Sequence, residues 1–295
     1  VKYYINIIYF FSIVSLVFYS LSFLPGITDF FINNVAPIFE SPFSAPNEFY
    51  TPSPSIIIFT FEGSLITEFR NSGPFWEPGA FAVFIIFALL FNIVKSGCLL
   101  NKKNNIFIIV LVTTFSTAGY IAFFILVSGY YLFNKNLFHK LLLIIFILAS
   151  ISIYTTTSFL EEKVQHNIAL ADKTTNKLSG SALADLNLFN ESPIVGWGRG
   201  PKRYGEKKIV FFGQDQHRNN GLFILLATYG IVGSLLYYLL FYKSLLRINN
   251  FFNFRRGFPF VFFVTTILLG FSQDLFFKPF FLCFLFLFIS IKYNR

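Results

Sequence analysis

Long apolar runs constrain this chain more than any other feature of its sequence. A helix of about 20 apolar residues can cross a bilayer because every backbone polar group is then bonded within the segment. With 55% hydrophobic and only 13% charged residues, the composition excludes an ordinary soluble domain. We therefore predict an all-α, polytopic integral membrane protein, with residues 1–295 forming a single integral domain. The apolar runs lie at about 3–24, 79–97, 106–133, 141–157, 221–242 and 258–291.

The first apolar run, at residues 3–24, predicts a span that is retained in the protein. It is longer and more aromatic than a cleavable signal peptide, and no small-residue cleavage site follows it. The chain begins with Val1 and contains no Met. We therefore expect an alternative start codon or a truncated N-terminus.

Two apolar runs are too long for one crossing, and the basic residues indicate how they divide. Ser272-Gln273-Asp274 interrupts the run 258–291, which predicts two spans that turn near Asp274. The run 106–133 is either one long tilted helix or two short helices that turn at 116–119. Two short helices place every basic loop on the cytoplasmic side, although arms of about 14 residues reach only about 21 Å across a core of about 30 Å. The prediction is therefore about eight transmembrane helices with both termini inside.

This topology leaves two large extracytoplasmic loops, at about 25–78 and 158–220. The first loop is rich in proline and is expected to be mostly irregular. The second loop is the most polar part of the chain, and apolar residues recur at helical spacing within it. We therefore predict an amphipathic helix at 180–190 that lies on the membrane, and membrane lipids are an expected partner.

The charge and the distribution of cysteine and histidine exclude several classes of function. The net charge is +9. In a membrane protein, Lys and Arg first determine the orientation of the spans and can also bind anionic lipid or phosphate groups, so this charge does not indicate a nucleic-acid partner and we expect none. Cys98 and Cys283 are far apart and the three histidines are scattered, so we expect neither a disulfide framework nor a metal site. Without a P-loop or an Asp-x-Asp motif, a soluble nucleotide-activated donor is not expected, and neither is a cofactor.

A carboxylate stands at the start of the apolar run that follows residue 78. Glu77 precedes Pro78, which suits the first turn of a helix because its missing N–H has no intrahelical use there. The carboxylate meets the positive end of the helix dipole, and the ring of Trp76 is of the kind favoured at the membrane–water boundary. Glu77 is therefore either a functional carboxylate at the membrane face or part of a capped, interface-anchored helix.

A glycine-rich segment in the second loop predicts an anion-binding turn. Gly196-Trp197-Gly198-Arg199-Gly200 follows no strand, so it matches a dinucleotide-binding loop only weakly. A tight turn that presents Arg199 to an anionic group is the better interpretation. The planar guanidinium suits diphosphate, and Lys202 and Arg203 extend the basic patch.

His217 is the candidate base of the same loop. A single histidine immediately before a span is more often a boundary residue than a catalyst. Neutral imidazole can nevertheless accept a proton from an attacking hydroxyl near pH 7, and Arg199 or Arg218 nearby would keep it uncharged. On the predicted topology these groups share the extracytoplasmic face with other charged residues, namely Arg70, Glu77 and Asp274.

Four segments resemble motifs of one family of membrane glycosyltransferases. Residues 69–79 are similar to a motif of Wzy-type O-antigen and capsule polymerases. Residues 190–198 resemble the Pro-hydrophobic-hydrophobic-Gly-x-Gly signature of the wider O-antigen polymerase and ligase superfamily, and residues 217–233 resemble its His-Asn and Tyr-Gly-Ile-Ile-Gly segments. Residues 116–120 lie where ligases carry Ser-Arg-Gly, and the missing Arg favours a polymerase. The resemblance covers about 66–245.

The resemblance implies a metal-independent glycosyltransferase of the bacterial cytoplasmic membrane, whose active site faces outside and uses polyprenyl-diphosphate-linked glycans. A sugar hydroxyl of one repeat unit attacks the anomeric carbon of the growing chain, and the polyprenyl diphosphate leaves. His217 is the implied base, although Arg218 follows it where the family has Asn. Glu77 is the alternative base or the group that positions Arg70. Arg70 and Arg199 are assigned to the diphosphate.

Two other functions stay open from the sequence. An O-antigen ligase would pass the glycan to a lipid or protein acceptor. A lipid-linked glycan flippase or another transporter would place charges around a midplane cavity between inverted repeats, and the sequence contains neither feature. A polymerase is expected to work with a chain-length regulator and a flippase as partners.

Overall fold

The computed structural model describes residues 1–39, 53–62, 69–134, 138, 140–142, 144–147, 178–198 and 220–290. Within these residues α-helices are the main elements, as the sequence predicts. Contacts divide the chain into two compact units, unit 1 with residues 1–124 and unit 2 with residues 125–295. The expectation of a single integral domain stays a prediction.

Unit 1 consists of helices and one pair of very short strands. The strands pair antiparallel, with Phe61 opposite Asn71 and Glu62 opposite Arg70. The elements follow in the order α1 (Lys2–Leu21), α2 (Ile27–Phe30), a π-helix (Phe31–Val35), α3 (Ala36–Phe39), β1 (Phe61–Glu62), β2 (Arg70–Asn71), α4 (Pro78–Ser96), α5 (Lys102–Thr113) and α6 (Thr117–Leu132). The C-terminal part of α6 belongs to unit 2.

Unit 2 is arranged around its longest helix, α8, which packs along both α7 and α9. The described elements that follow α6 are α7 (Leu178–Glu191), α8 (Gly221–Phe251), α9 (Phe258–Ser272), α10 (Pro279–Phe284) and α11 (Leu287–Ser290).

Three helices in the described part of the chain are long and apolar enough to cross a membrane, namely α1, α4 and α8. The shorter apolar helices α6 and α9, and residues 279–289, add further apolar segments. The prediction of a mostly helical protein with candidate membrane-spanning helices is confirmed at this level. The number of crossings stays a prediction.

Helix α4 is the buried centre of unit 1, and α1 and α5 pack on it. Residues 85–94 of α4 are all buried. Helix α1 is tied to it by the Tyr4 hydroxyl, which donates to the Phe84 carbonyl at 2.9 Å. On its other side α1 exposes an apolar stripe, as a helix at the lipid-facing rim of a bundle must. The stripe consists of Tyr3, Ile7, Phe10, Ile13 and Val17.

A sharp turn at 114–116 divides the apolar run 106–133 between α5 and α6. Phe115 in this turn has a left-handed φ of 48°. The Tyr120 hydroxyl donates to the Val112 carbonyl at 2.6 Å. Eight residues of continuous helix would rise about 12 Å and keep these groups apart. Two helices instead of one are therefore confirmed, with the turn at the N-terminal edge of the predicted position.

The apolar run at the end of the chain is divided where the sequence predicts. Helix α9 ends at Ser272, and α10 begins after Lys278. Gly221, at the start of α8, packs against the intervening turn, because a Cβ built there would lie 2.6 Å from the Gln273 carbonyl oxygen. The turn that holds Asp274 therefore lies beside the N-terminus of α8.

Helix α7 confirms the helix predicted at 180–190, and it packs on α8. Leu188 and Ala227 are both fully buried in one cluster, and Trp197 packs against them. The Trp197 indole N–H also donates to the Leu188 carbonyl at 2.8 Å. This face of α7 is therefore covered by protein, whereas the sequence pattern predicted that the helix lies on the membrane.

Candidate functional site

Helix α8 is interrupted near its middle at Gly230, whose φ of 63° and ψ of −171° are not helical. In an uninterrupted helix each N–H donates to the carbonyl four residues earlier. The N–H groups of Ile231 and Val232 would then donate to the carbonyls of Ala227 and Thr228. The break separates these four groups, and each needs another partner because unbonded backbone groups are costly away from water.

The loop that follows α7 supplies a partner to all four groups. Two of its carbonyls accept from the N–H groups after the break, and two of its N–H groups donate to the carbonyls before it. We term this arrangement, loop 192–198 docked in the break at Gly230, the splice. Its bonds are Ile231 N to Pro193 O at 2.8 Å, Val232 N to Ile194 O at 3.2 Å, Trp197 N to Ala227 O at 3.0 Å and Gly198 N to Thr228 O at 2.8 Å.

The splice confirms the tight turn predicted for the glycine-rich segment as far as residue 198. Gly196 and Gly198 have left-handed φ values of 68° and 73°. A Cβ built at Gly196 would lie 2.5 Å from the backbone N of Gly230, so only glycine fits there. Ser192 closes the loop, since its carbonyl accepts from Gly196 N–H at 3.0 Å and its hydroxyl donates to the Gly196 carbonyl at 3.1 Å.

Five of the seven predicted site residues lie outside the described residues. The splice ends at Gly198, the residue before Arg199 in the sequence, and the next described residue is Asn220, which caps α8. The roles assigned to these five residues therefore stay predictions. They are Arg199, Lys202, Arg203, His217 and Arg218.

Asn220 is a buried residue that is not among the site residues predicted from the sequence. Its Oδ1 accepts from the Phe223 N–H at 3.2 Å, which caps the first turn of α8. Its Nδ2 is buried and has no hydrogen-bond partner among the described residues. Asn immediately before an apolar run is an N-cap signal, so the sequence did carry the information.

Asp185 is a second residue that is not among those predicted from the sequence. It is fully buried in α7, one helical turn before Leu188. A buried carboxylate in an apolar protein is costly and is a candidate for function. In the sequence, Asp185 lies three positions before Leu188 within the predicted amphipathic helix, so the two share a helix face, and this spacing could have indicated that Asp185 is buried.

Arg70, in unit 1, is held at the end of α5. Its Nε donates to the Thr114 carbonyl and its Nη2 to the Phe115 carbonyl, each at 3.3 Å. Carbonyls at a helix C-terminus have no intrahelical donor and carry the negative end of the dipole, so a cation is favoured there. The half-buried guanidinium thus stabilises the turn between α5 and α6. Its assignment to a diphosphate stays a prediction.

Asn71, next to Arg70, joins three parts of unit 1 and was also missed. Its fully buried Nδ2 donates to the Ser15 hydroxyl at 3.2 Å and to the Thr113 hydroxyl at 2.9 Å. Its Oδ1 accepts from the Gly73 N–H at 3.1 Å. The strand that carries Arg70 is thereby attached to α1 and α5. This attachment fixes the position of the Arg70 backbone.

Glu77 occupies the N-cap position of α4, with Pro78 as the first helical residue, as the sequence predicts. Its backbone carbonyl accepts from the Phe81 N–H at 3.2 Å, whereas its side chain makes no capping hydrogen bond. Trp76 beside it is exposed, as expected for a residue at a membrane–water boundary. Glu77 thus stands at the head of the most buried helix of unit 1.

Within the described ranges, no group of three or more His, Cys, Asp or Glu residues could hold a metal ion. No protein-family model, curated protein or solved structure matches the chain. The likeness to O-antigen polymerases therefore rests on the four sequence motifs, and the function that it implies is a proposal.

Proposed function

We propose that the protein polymerises polyprenyl-diphosphate-linked oligosaccharide repeat units at the outer face of a bacterial cytoplasmic membrane, producing O-antigen or capsular polysaccharide. The splice carries the proposal. Residues 190–198 and 217–233 resemble two separate motifs of such polymerases, and the splice joins parts of both through four backbone hydrogen bonds. Two motifs that share one backbone arrangement support a common role in binding and catalysis.

The proposed reaction needs a base, a site for the diphosphate and no metal ion. His217 takes the proton of the attacking sugar hydroxyl as the new bond forms at the anomeric carbon. The bond from that carbon to the diphosphate oxygen breaks, and the polyprenyl diphosphate leaves with the electron pair. Arg199 and Arg70 stabilise the charge on this leaving group, with Lys202, Arg203 and Arg218 adding positive charge.

The contacts of Arg70 support its proposed part in this reaction. A guanidinium that donates from Nε and Nη2 to two carbonyls has a fixed position before any substrate arrives. Fixed donors stabilise developing charge better than mobile ones, because no reorganisation is needed when the reaction occurs. Glu77 is proposed as the alternative base or as the partner that positions Arg70.

We also propose the eight-crossing topology, with both termini in the cytoplasm. The turn at 114–116 supports it, because two short helices across 106–133 bring all basic loops to one side. The turn between α9 and α10 supports two final crossings in the same way.

The proposal is tested with purified protein in lipid nanodiscs and a synthetic polyprenyl-diphosphate-linked repeat unit. A polymerase yields a ladder of lipid-linked products that differ by one repeat, and it does so in the presence of EDTA. Heated protein is the control. If the repeat unit stays unchanged when it is the only donor and acceptor present, the proposal is wrong. Loss of activity in EDTA with recovery on adding a divalent ion would contradict the metal-independent mechanism.

A further inference from the structure

The tip of the splice exposes two large apolar side chains. Ile194 is 64% exposed and Val195 is 69% exposed. The residues just before them, Asn190 and Glu191 at the end of α7, are also exposed but polar. The surface of this segment therefore changes from polar to apolar within a few residues, which is the pattern expected where a chain passes from water into lipid.

The exposed tip continues an apolar face of α8. Because Val232 N–H donates to the Ile194 carbonyl, the tip lies beside the first turn after the break. From that turn onward α8 exposes five apolar side chains at the spacing of a single helical face, each between 47% and 58% exposed. Since α8 is a candidate membrane span, this face is suited to lipid. The five residues are Ile231, Val232, Leu235, Leu236 and Leu239.

Most backbone polar groups of the loop are also bonded within the protein. Irregular backbone at membrane depth is tolerated only when its polar groups are bonded within the protein. Pro193 has no N–H, and its carbonyl and that of Ile194 accept from α8. Gly196, Trp197 and Gly198 each donate their N–H to a carbonyl of the protein. These groups need no water, whereas the N–H groups of Ile194 and Val195 have no backbone acceptor among the described residues and must stay near the membrane–water interface while the side chains enter the lipid.

We propose that Ile194 and Val195 insert into the acyl-chain region of the bilayer as a small lipid-facing wedge beside α8. The partner of this surface is the lipid bilayer itself, because the wedge is continuous with the exposed face of a candidate span. The inference goes beyond glycan polymerisation and depends only on the membrane position of α8. With this wedge, the second loop is anchored in lipid at residues 194–195, while the end of α7 stays polar.

The wedge is tested by spin labelling in proteoliposomes. Cys98 and Cys283 are replaced by serine, and a single cysteine is placed at Val195 or, as the matched control, at the exposed polar Asn190. Accessibility of the label to oxygen and to a water-soluble nickel chelate is measured by power saturation. The oxygen-to-nickel ratio is expected to be at least about threefold higher at 195 than at 190, because oxygen concentrates among acyl chains and the chelate stays in water.

Two results would overturn the wedge. A ratio at 195 equal to that at 190 places the tip in water, and low accessibility to both reagents at 195 places it under protein. A second measurement covers the case in which the cysteine variants fold poorly. In Trp76→Phe, Trp197 is the remaining tryptophan and lies in the same loop. Lipids brominated high on the acyl chain are expected to quench its emission, and Ile194→Ser with Val195→Ser is expected to reduce that quenching. An unquenched Trp197 contradicts the proposal.

Discussion

Gly196 and Gly230 lie backbone against backbone, so closely that a Cβ added to Gly196 would lie 2.5 Å from the nitrogen of Gly230. Each has a left-handed φ, and each belongs to one of the two segments that the splice connects. The contact places the loop within the break, where both sets of backbone hydrogen bonds form. A side chain at either position would move the loop outward and break these bonds.

A matched pair of substitutions tests this contact. Asn tolerates a left-handed φ, so Gly196→Asn and Gly198→Asn differ mainly in space, since a Cβ at Gly198 has nothing within 4 Å. Gly196→Asn is expected to lower the free energy of unfolding by about 2–4 kcal/mol through lost backbone hydrogen bonds, and Gly198→Asn by less than about 1 kcal/mol. Unfolding in detergent, followed by tryptophan fluorescence, measures both. Equal losses would show that the close approach does not matter.

Substitution of Arg70 separates its structural contact from its charge. Arg70→Ala removes two hydrogen bonds to the end of α5 and is expected to cost about 2 kcal/mol, whereas Arg70→Lys should retain part of the stability because one ammonium still favours the helix end. The exposed Lys102→Ala is the control and should change stability by less than about 0.5 kcal/mol. Thermal unfolding gives these values. An Arg70→Ala protein as stable as the control would contradict the capping role.

Cysteine labelling tests the proposed topology. With Cys98 and Cys283 replaced, cysteines at Asn47 and Lys173 are expected to react with an impermeant thiol reagent added outside intact spheroplasts. A cysteine at the exposed Asn250 should react only after the membrane is opened, because it lies in the last turn of α8, after the basic residues Lys243 and Arg247. Labelling at Asn250 in intact spheroplasts would exclude eight crossings with both termini inside.

The roles of His217 and Arg199 differ in the step that each affects. His217→Ala is expected to abolish turnover while lipid-linked substrate still binds, because a base acts after binding. Arg199→Ala should weaken diphosphate binding, and Arg199→Lys should recover only part of it because Lys lacks the planar fork. Binding and turnover are measured separately on purified protein. Full turnover in His217→Ala would remove the proposed base.

The surface glycan distinguishes a polymerase from a ligase. Deleting a polymerase leaves the ligase free to transfer single units, so the ladder of chain lengths should collapse to one repeat per acceptor. Deleting a ligase leaves bare acceptors and long chains on the lipid carrier. Glu77→Ala should copy the polymerase deletion if the carboxylate is essential, and Glu77→Gln should rescue it only in part if charge matters. Gel electrophoresis of the glycan and of the lipid-linked pool gives the answer, and bare acceptors with long lipid-linked chains would favour the ligase.

Patterns that are local in sequence predicted much of the fold. Apolar runs predicted the long helices α1, α4 and α8, Pro78 predicted the start of α4, and Ser272-Gln273-Asp274 predicted the turn after α9. The glycines of 196–200 predicted a tight turn because backbone conformation depends on the residue itself. Each of these signals lies within a few residues of the element that it predicts.

Contacts between distant residues could not be predicted in the same way. The break at Gly230 lies inside an apolar run that indicates a continuous helix, and only the docked loop explains why the helix opens there. The position of Arg70 depends on the end of α5, and that of Asn71 on Ser15 and Thr113. Every residue has a backbone carbonyl, so the sequence does not show which carbonyl an Arg binds. An Arg that binds backbone carbonyls therefore cannot be distinguished by sequence from an Arg that binds phosphate.

The exchange of bonds at Gly230 also has a consequence for biosynthesis. Loop 192–198 is synthesised before α8, and on the proposed topology it has already been exported when α8 reaches the translocon. Helix α8 must then enter lipid without its partner, and four unbonded backbone groups would oppose insertion of a broken helix. We expect α8 to enter as a continuous helix. It then opens at Gly230 when loop 192–198 displaces two of its backbone hydrogen bonds. On this expectation Gly230 acts as a hinge, and residues around it have one conformation during insertion and another in the finished protein.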